Sequence, residues 1–184
     1  MKRRIGTALC RQENSCLVCP QKVKPMNSKS EKISYWLFKT EPSAYSWENL
    51  KAEKKRTSEW DGVRNYQARN FMRSMKRGDL LFFYHSIVIP QVICGICEVV
   101  KEAYPDTTQF DPDSKYFDMK SSPEEPRWSM VDIAWRRDFD PPISREELKV
   151  LPGLEDMVLL QKGSRLSIQP VTPSQWKVIE KLRT

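Results

Sequence analysis

The sequence predicts an α+β domain, a curved mixed β-barrel with short flanking helices, preceded by a basic tail. Three observations carry this reading. Apolar runs of strand length recur five or six times, helix caps stand between them, and neither feature occurs before Ile33. The chain has 184 residues and a net charge of +7. Residues 1–33 hold eight Lys/Arg against two Asp/Glu, which leaves 23 against 22 for the remainder. The charge therefore describes the tail, and any nucleic-acid surface on the domain has to come from local clustering.

The tail, residues 1–33, is aperiodic, polar and basic, the composition of a segment too poor in apolar residues to fold. It has no apolar run of signal-peptide length, and no stretch of the chain is long and apolar enough to span a membrane. Met26 is a second candidate initiator, because the structured elements follow it. Five cysteines, an odd number, argue against a disulfide framework. Cys16/Cys19 and Cys94/Cys97 each form a C-x-x-C pair. The second pair lies in a strand pattern that predicts opposite faces for its thiols, so no zinc site is expected.

Tyr35 to Lys39 reads as a strand stopped at Pro42. Ser46 caps a short helix reaching about Glu53, and 51–56 is solvated. Asn65 is an N-cap and Gly78 suits the position just past a helix end, which predicts a helix from Tyr66 to Arg77. Ala68, Phe71, Met72 and Met75 form its apolar stripe; Arg69, Arg73 and Lys76 repeat at the same spacing on another face. Asp79 to Tyr84 is a continuous apolar run, the mark of a strand covered on both faces. A strand from Gln91 to Lys101 follows, then a long Pro/Asp/Ser-rich loop from Ala103 to Glu125, where function often resides. Arg127 to Trp135 alternates as a strand, with Ser129, Val131, Ile133 and Trp135 as its core side. Ser144 with Glu147 and Thr172 with Gln175 form capping boxes, and Pro173 opens the last helix. Between them, Arg165 to Pro170 alternates as a strand.

Six segments carry a resemblance: W-L-F-K-T-E-P at 36–42, W-D-G-V-R-N-Y-Q-A-R-N-F at 60–71, F-F-Y-H-S at 82–86, A-Y-P-D at 103–106, W-S-M-V-D at 128–132 and R-L-S-I-Q-P at 165–170. In this order, over roughly residues 34–182, they resemble an EVE domain. That resemblance implies a PUA-like fold, related also to YTH domains, with a pocket that reads modified bases in nucleic acid. It implies DNA or RNA carrying a modified base, such as a modified cytosine, as the partner. A monomer is expected, nuclear in a eukaryote and cytoplasmic, nucleoid-associated, in a bacterium.

The residues suit such a pocket. An unpaired base needs an aromatic face to stack on and polar groups that match its edge. Trp60, Tyr84 and Trp128 are the aromatic candidates. The edge readers are Gly62, Val63, Arg64, Asn65, Ser86, Ser129, Ser167 and Gln169, with Lys39 and His85 at strand ends. Arg69, Arg73 and Lys76 are the candidate phosphate contacts. There is no G-x-S-x-G, no P-loop and, with one histidine, no H-E-x-x-H, so neither catalysis nor a cofactor nor a metal is expected. The alternative is a small-molecule or nucleoside sensor, or an enzyme using Glu41, Asp61 or Asp132 as general acid or base.

Overall fold

The structure is a computed structural model that describes residues 33–183. The tail and the Cys16/Cys19 pair lie outside these residues. Among the described residues, six strands and four α-helices follow in the order β1 (Tyr35–Thr40), α1 (Trp47–Ala52), β2 (Thr57–Trp60), α2 (Tyr66–Ser74), β3 (Leu80–His85), β4 (Val92–Pro105), β5 (Ser129–Ser144), α3 (Arg145–Lys149), β6 (Ile168–Val171) and α4 (Pro173–Glu180). The strands form one mixed sheet in the order β2-β5-β4-β3-β1-β6, with β1 parallel to β3 and the other pairs antiparallel.

This α+β sheet is not the closed barrel that the strand count suggested. Its edges, β2 and β6, are not hydrogen-bonded to each other. Both are four residues long, and β6 contains Pro170, which cannot donate to a ladder. Short, proline-bearing strands end a sheet rather than close it.

The sheet is covered on both faces, and β3 shows why its sequence is continuously apolar. Leu81 and Phe83 enter one core with Trp47 and Leu50 of α1 and Ala68 and Met72 of α2. Phe82 and Tyr84 enter the other with Leu148 of α3 and Trp176 and Ile179 of α4. Strand alternation thus feeds two cores at once, each large buried side chain contributing about 1.5–3 kcal/mol. Among the described residues no helix is long and apolar enough to cross a membrane.

The caps at Ser46, Asn65, Ser144 and Thr172 all form, and three of them are reciprocal capping boxes. The far end of α2 differs from expectation. The helix stops at Ser74 with Met75 as its cap, a turn short of Arg77. The cause lies across the fold: the buried Asp79 carboxylate accepts from Lys76 N, Trp36 Nε1 and Ser34 N, and Gly78 N donates to Val99 O. These bonds draw residues 76–79 out of the helix and onto the sheet.

Three strand expectations also change. β5 continues nine residues past Trp135 and passes through Pro141 and Pro142. Val131 and Ile133 of the expected core side are buried, but so are Trp128 and Met130, while Trp135 lies half-exposed beneath the Arg56 guanidinium. Against β3, β4 carries one extra residue, Cys94, where the register shifts between the Phe83–Gly95 and Tyr84–Ile93 pairs. Such bulges move the side-chain alternation by one. Cys94 and Cys97 consequently pack in the same core rather than on opposite faces, with Ile93 and Ile96 in the other. Both thiols are free, and burial raises their pKa values.

Candidate functional site: an aromatic cavity beside the β2–α2 loop

Four segments meet around a cavity of ≈ 370 Å³: the end of β1 and its following turn, the β2–α2 loop, residues 115–116 of the long loop, and Ser167 just before β6. The volume falls within the range of small-ligand pockets. Trp60 forms the aromatic wall, its ring 5.1 Å from Phe38 and 5.6 Å from Phe83, with Tyr45 edge-on at 6.3 Å. One part of the indole is thus anchored in the core while the rest faces the cavity. Tyr45 Oη is buried without a hydrogen bond at ordinary distance. Burial raises that phenol's pKa, and neighbouring Ser58 moderates the rise.

The β2–α2 loop is fixed by a buried carboxylate. Asp106, fully buried, accepts from Gly62 N at 2.9 Å, Arg64 Nη1 at 2.7 Å, and Thr108 through its backbone N and hydroxyl. Burial alone would raise this carboxyl; the bonds from Arg64, Thr108 and Gly62 outweigh it and hold the pKa below the carboxylate range. Arg64 completes the clasp by donating from Nε to Tyr116 O at 2.8 Å and from Nη2 to Thr108 Oγ1 at 3.0 Å. Tyr116 is thereby pressed over Gly62. A Cβ at position 62 would stand 2.5 Å from the tyrosine ring, and the backbone there has φ +69°, so glycine is required on two counts.

Polar groups ring the opening. Lys39 is half-buried; burial, then the nearby Arg145 charge, lowers its pKa, and Nζ donates to Ser164 O at 3.3 Å. Asp61 moves the other way, raised by burial and by the Asp106 and Glu59 carboxylates. An amine and a carboxyl, both biased toward neutrality, therefore share the rim with the Glu59 and Lys115 side chains.

Lys39, Trp60, Gly62, Val63, Arg64 and Ser167 of the sequence candidates line this cavity. Arg64 does so as a clasp, its donors already engaged. The other candidates are elsewhere. Asn65 caps α2 through Ala68 N. Tyr84 donates to Gln91 Oε1 in a neighbouring cavity. His85 accepts from Trp47 N through Nε2, a neutral acceptor whose pKa burial lowers. Ser86 donates to Thr40 O. Trp128 is buried against Tyr66, ring centroids 4.9 Å apart, and donates to Asp118. Ser129 accepts from Arg73 Nε, and Gln169 is buried, donating to Ser164 Oγ and Leu166 O. Of the candidate acids, Asp61 lines the cavity, whereas Glu41 and Asp132 do not, the latter accepting from Tyr104 Oη.

Sequence reasoning did not single out Thr40, Ala44, Tyr45, Glu59, Lys115 or Tyr116. None carried a signal of its own: Tyr116 is one of four aromatic residues, with Tyr104, Phe110 and Phe117, in a loop otherwise rich in Asp, Pro and Ser.

The basic residues expected to form a stripe on α2 are engaged with the protein itself. Arg69 Nη1 donates to Arg127 O, Arg73 Nη2 donates to Pro126 O and Arg127 O, and Lys76 pairs with Glu102 at 2.9 Å. The two arginines pin the end of the long loop to the helix, whereas Lys76, past the end of α2, reaches β4.

Residues 34–182 match the family model of the EVE domain. The chain belongs to the EVE domain family. Human thymocyte nuclear protein 1 is 41% identical over 192 residues, covering 95% of this chain and 84% of the relative. Among solved structures, a protein from Pseudomonas putida is 48% identical with a TM-score of 0.76, covering 82% of this chain and all of the other. The human THYN1 protein in complex with 5-methylcytosine-containing DNA is 43% identical, also with a TM-score of 0.76, over 81% of this chain and 96% of the other. The six sequence segments that suggested the family all fall inside the matched range.

Proposed function

We propose that this EVE domain binds DNA and reads a modified base, of the 5-methylcytosine type, in the Trp60 cavity. The observation that carries the reading is the cavity itself: an aromatic wall anchored in the core, faced by Tyr116 and ringed by groups able to accept and donate. Its support from relatives is the human neighbour in complex with 5-methylcytosine-containing DNA. In this reading the unstacked base lies against Trp60, Asp61 accepts from the exocyclic amine as acidic side chains accept from cytosine N4, and Lys39 donates to the opposite edge. Nuclear action fits the names of the animal relatives. No catalytic step is assigned.

The test is a titration of duplex, single-stranded DNA and RNA oligonucleotides that differ only in one 5-methylcytosine. Tighter binding of the methylated DNA is expected. Trp60→Leu is expected to remove about 1–3 kcal/mol of it, the usual contribution of base–aromatic stacking. Asp61→Asn, on an exposed rim residue, tests the pocket without disturbing the core. Equal affinity for methylated and unmodified strands, unaltered by both variants, refutes the reading. A free nucleoside that binds as tightly as the oligonucleotide favours a nucleoside sensor instead.

A further inference from the structure

Next to the Trp60 cavity lies a second one of ≈ 390 Å³, and Lys39 lines both. Its charged lining is Lys39, Arg145, Lys162 and Arg165, with Tyr84 and Ser164 among the neutral groups and no carboxylate. This contrasts with the first cavity, which carries Glu59 and Asp61. It also contrasts with the other arginine side chains of the domain, most of which meet a carboxylate or carbonyl: Arg64 with Asp106, Arg127 with Asp118, Arg136 with Glu98, Arg183 with Glu147. Among the described residues, the side chains of Arg145, Lys162 and Arg165 make no hydrogen bond or ion pair. The nearby Glu146 does not line the cavity and pairs with Lys149 at 3.6 Å.

The convergence has a structural cost. Arg145 is positioned by its backbone N donating to Gln91 O at 2.8 Å, which sets the start of α3 against the Gln91 side of the cavity. There its charge lies close enough to Lys39 to oppose that amine's protonation. Four like charges gathered without a counter-ion, in a domain whose charges nearly balance overall, indicate that the counter-ion is external. The site is concave, which suits a compact oxyanion.

We propose that this second cavity binds a backbone phosphate of the DNA strand whose base enters the Trp60 cavity, with Lys39 standing between base and phosphate. The assignment rests on the base-reading proposal above. It places the strand across the 161–165 segment beside β6, not along α2. A phosphate ester is the chemistry recognised, whether part of a polynucleotide or of a free nucleotide.

The experiment compares the full chain with the triple variant Arg145→Gln, Lys162→Gln, Arg165→Gln, none of whose side chains holds the fold together. Affinities for unmodified and methylated oligonucleotides are measured across a salt series. Free 5-methyldeoxycytidine and its 5′-monophosphate are titrated alongside. The triple variant is expected to bind both oligonucleotides more weakly by one common factor and to flatten the slope of log affinity against log salt by roughly 0.9 for each phosphate that is no longer neutralised. Its preference for the methylated strand and its binding of the free nucleoside remain. If the monophosphate gains over the nucleoside in the wild type and loses that gain in the variant, a single terminal phosphate suffices; if only the oligonucleotide responds, the site takes an internal phosphodiester. An unchanged salt slope, or a slope that changes instead in Arg69→Gln, Arg73→Gln, overturns the proposal. The two readings fail separately. A wild type that does not distinguish methylated DNA but loses salt-dependent affinity in the triple variant removes the base reading and leaves the phosphate site. A wild type that discriminates, with a triple variant identical to it, does the reverse.

Discussion

On α2, Arg69 and Arg73 reach back to the carbonyls of Pro126 and Arg127, and Lys76 pairs with Glu102. Around the second cavity, Arg145, Lys162 and Arg165 have no such partners. The two groups are equally basic as sequence, and the first has the more regular spacing. What separates them is the polar surroundings each meets after folding. The arginines of the α2 group face loop-end carbonyls and Lys76 faces the Glu102 carboxylate, and these acceptors absorb their donors. The other group comes from two distant segments, 145 and 162–165, that bring positive charge together and no acceptor with it. Charge available to a ligand is charge that the fold has left uncompensated, and helical spacing alone does not reveal which charge that is.

The largest test of this contrast is at the most compensated cation. Arg64→Ala leaves the buried Asp106 carboxylate with only Gly62 and Thr108 as donors. Breaking a buried pair in this way is expected to cost about 3 kcal/mol, read by urea unfolding. The same pair sets an acid limit. Because the folded Asp106 pKa lies below its ordinary 3.8, its contribution is fully present above that value and is lost as pH falls through the lower folded pKa. A stability–pH curve should therefore fall more steeply in wild type than in Asp106→Asn at the acid end.

Gly62→Ala ranks next. It combines a left-handed φ with a Cβ inside the Tyr116 ring, and about 1–3 kcal/mol of destabilisation is expected, with Tyr116 displaced from the cavity. Recovery of stability in Gly62→Ala, Tyr116→Ala would confirm that the ring is the obstacle. Smaller still is Arg73→Gln, which removes the donor to buried Ser129 and should cost about 1 kcal/mol with no change in the salt dependence of DNA binding. The smallest effect is at Asp61. Its folded pKa is raised, so ionisation at neutral pH opposes folding, and Asp61→Asn should hold or gain stability within about 0.5 kcal/mol while weakening DNA binding.

The parts of the fold legible in the sequence were those set by neighbours along the chain. The four caps, the doubly covered β3 and the strand cores at Val131 and Ile133 follow from spacing alone. The misread parts depend on distant partners. α2 ends early because Asp79 takes Lys76 N, and Asp79 is held by Trp36 and Ser34, which lie forty residues away and more. The Cys94/Cys97 pair shares a face because β4 bulges against β3, and no periodicity within β4 predicts a bulge. The site divides in the same way. The loop around Trp60 and Gly62 was visible as an aromatic, glycine-bearing stretch before a capped helix. Tyr116 was hidden in an aperiodic loop, and Trp128, Ser129 and Gln169 were drawn in as an aromatic face and polar edge groups when their polar atoms serve the fold.

One buried amide ties together the two ends of the long loop that carries Tyr116. Gln109, fully buried, donates to Asp106 O and Trp128 O and accepts from Trp128 N and Ser121 Oγ. Residues 110–127 contribute no buried side chain to either core. A segment closed by hydrogen bonds rather than by apolar burial can open without the rest of the domain unfolding. Its amides should exchange with solvent by a local route, little affected by denaturant, while those of β3 and β4 exchange only through global unfolding. A ligand seated against Tyr116 would slow exchange in this segment first, making the cavity wall its own reporter of occupancy.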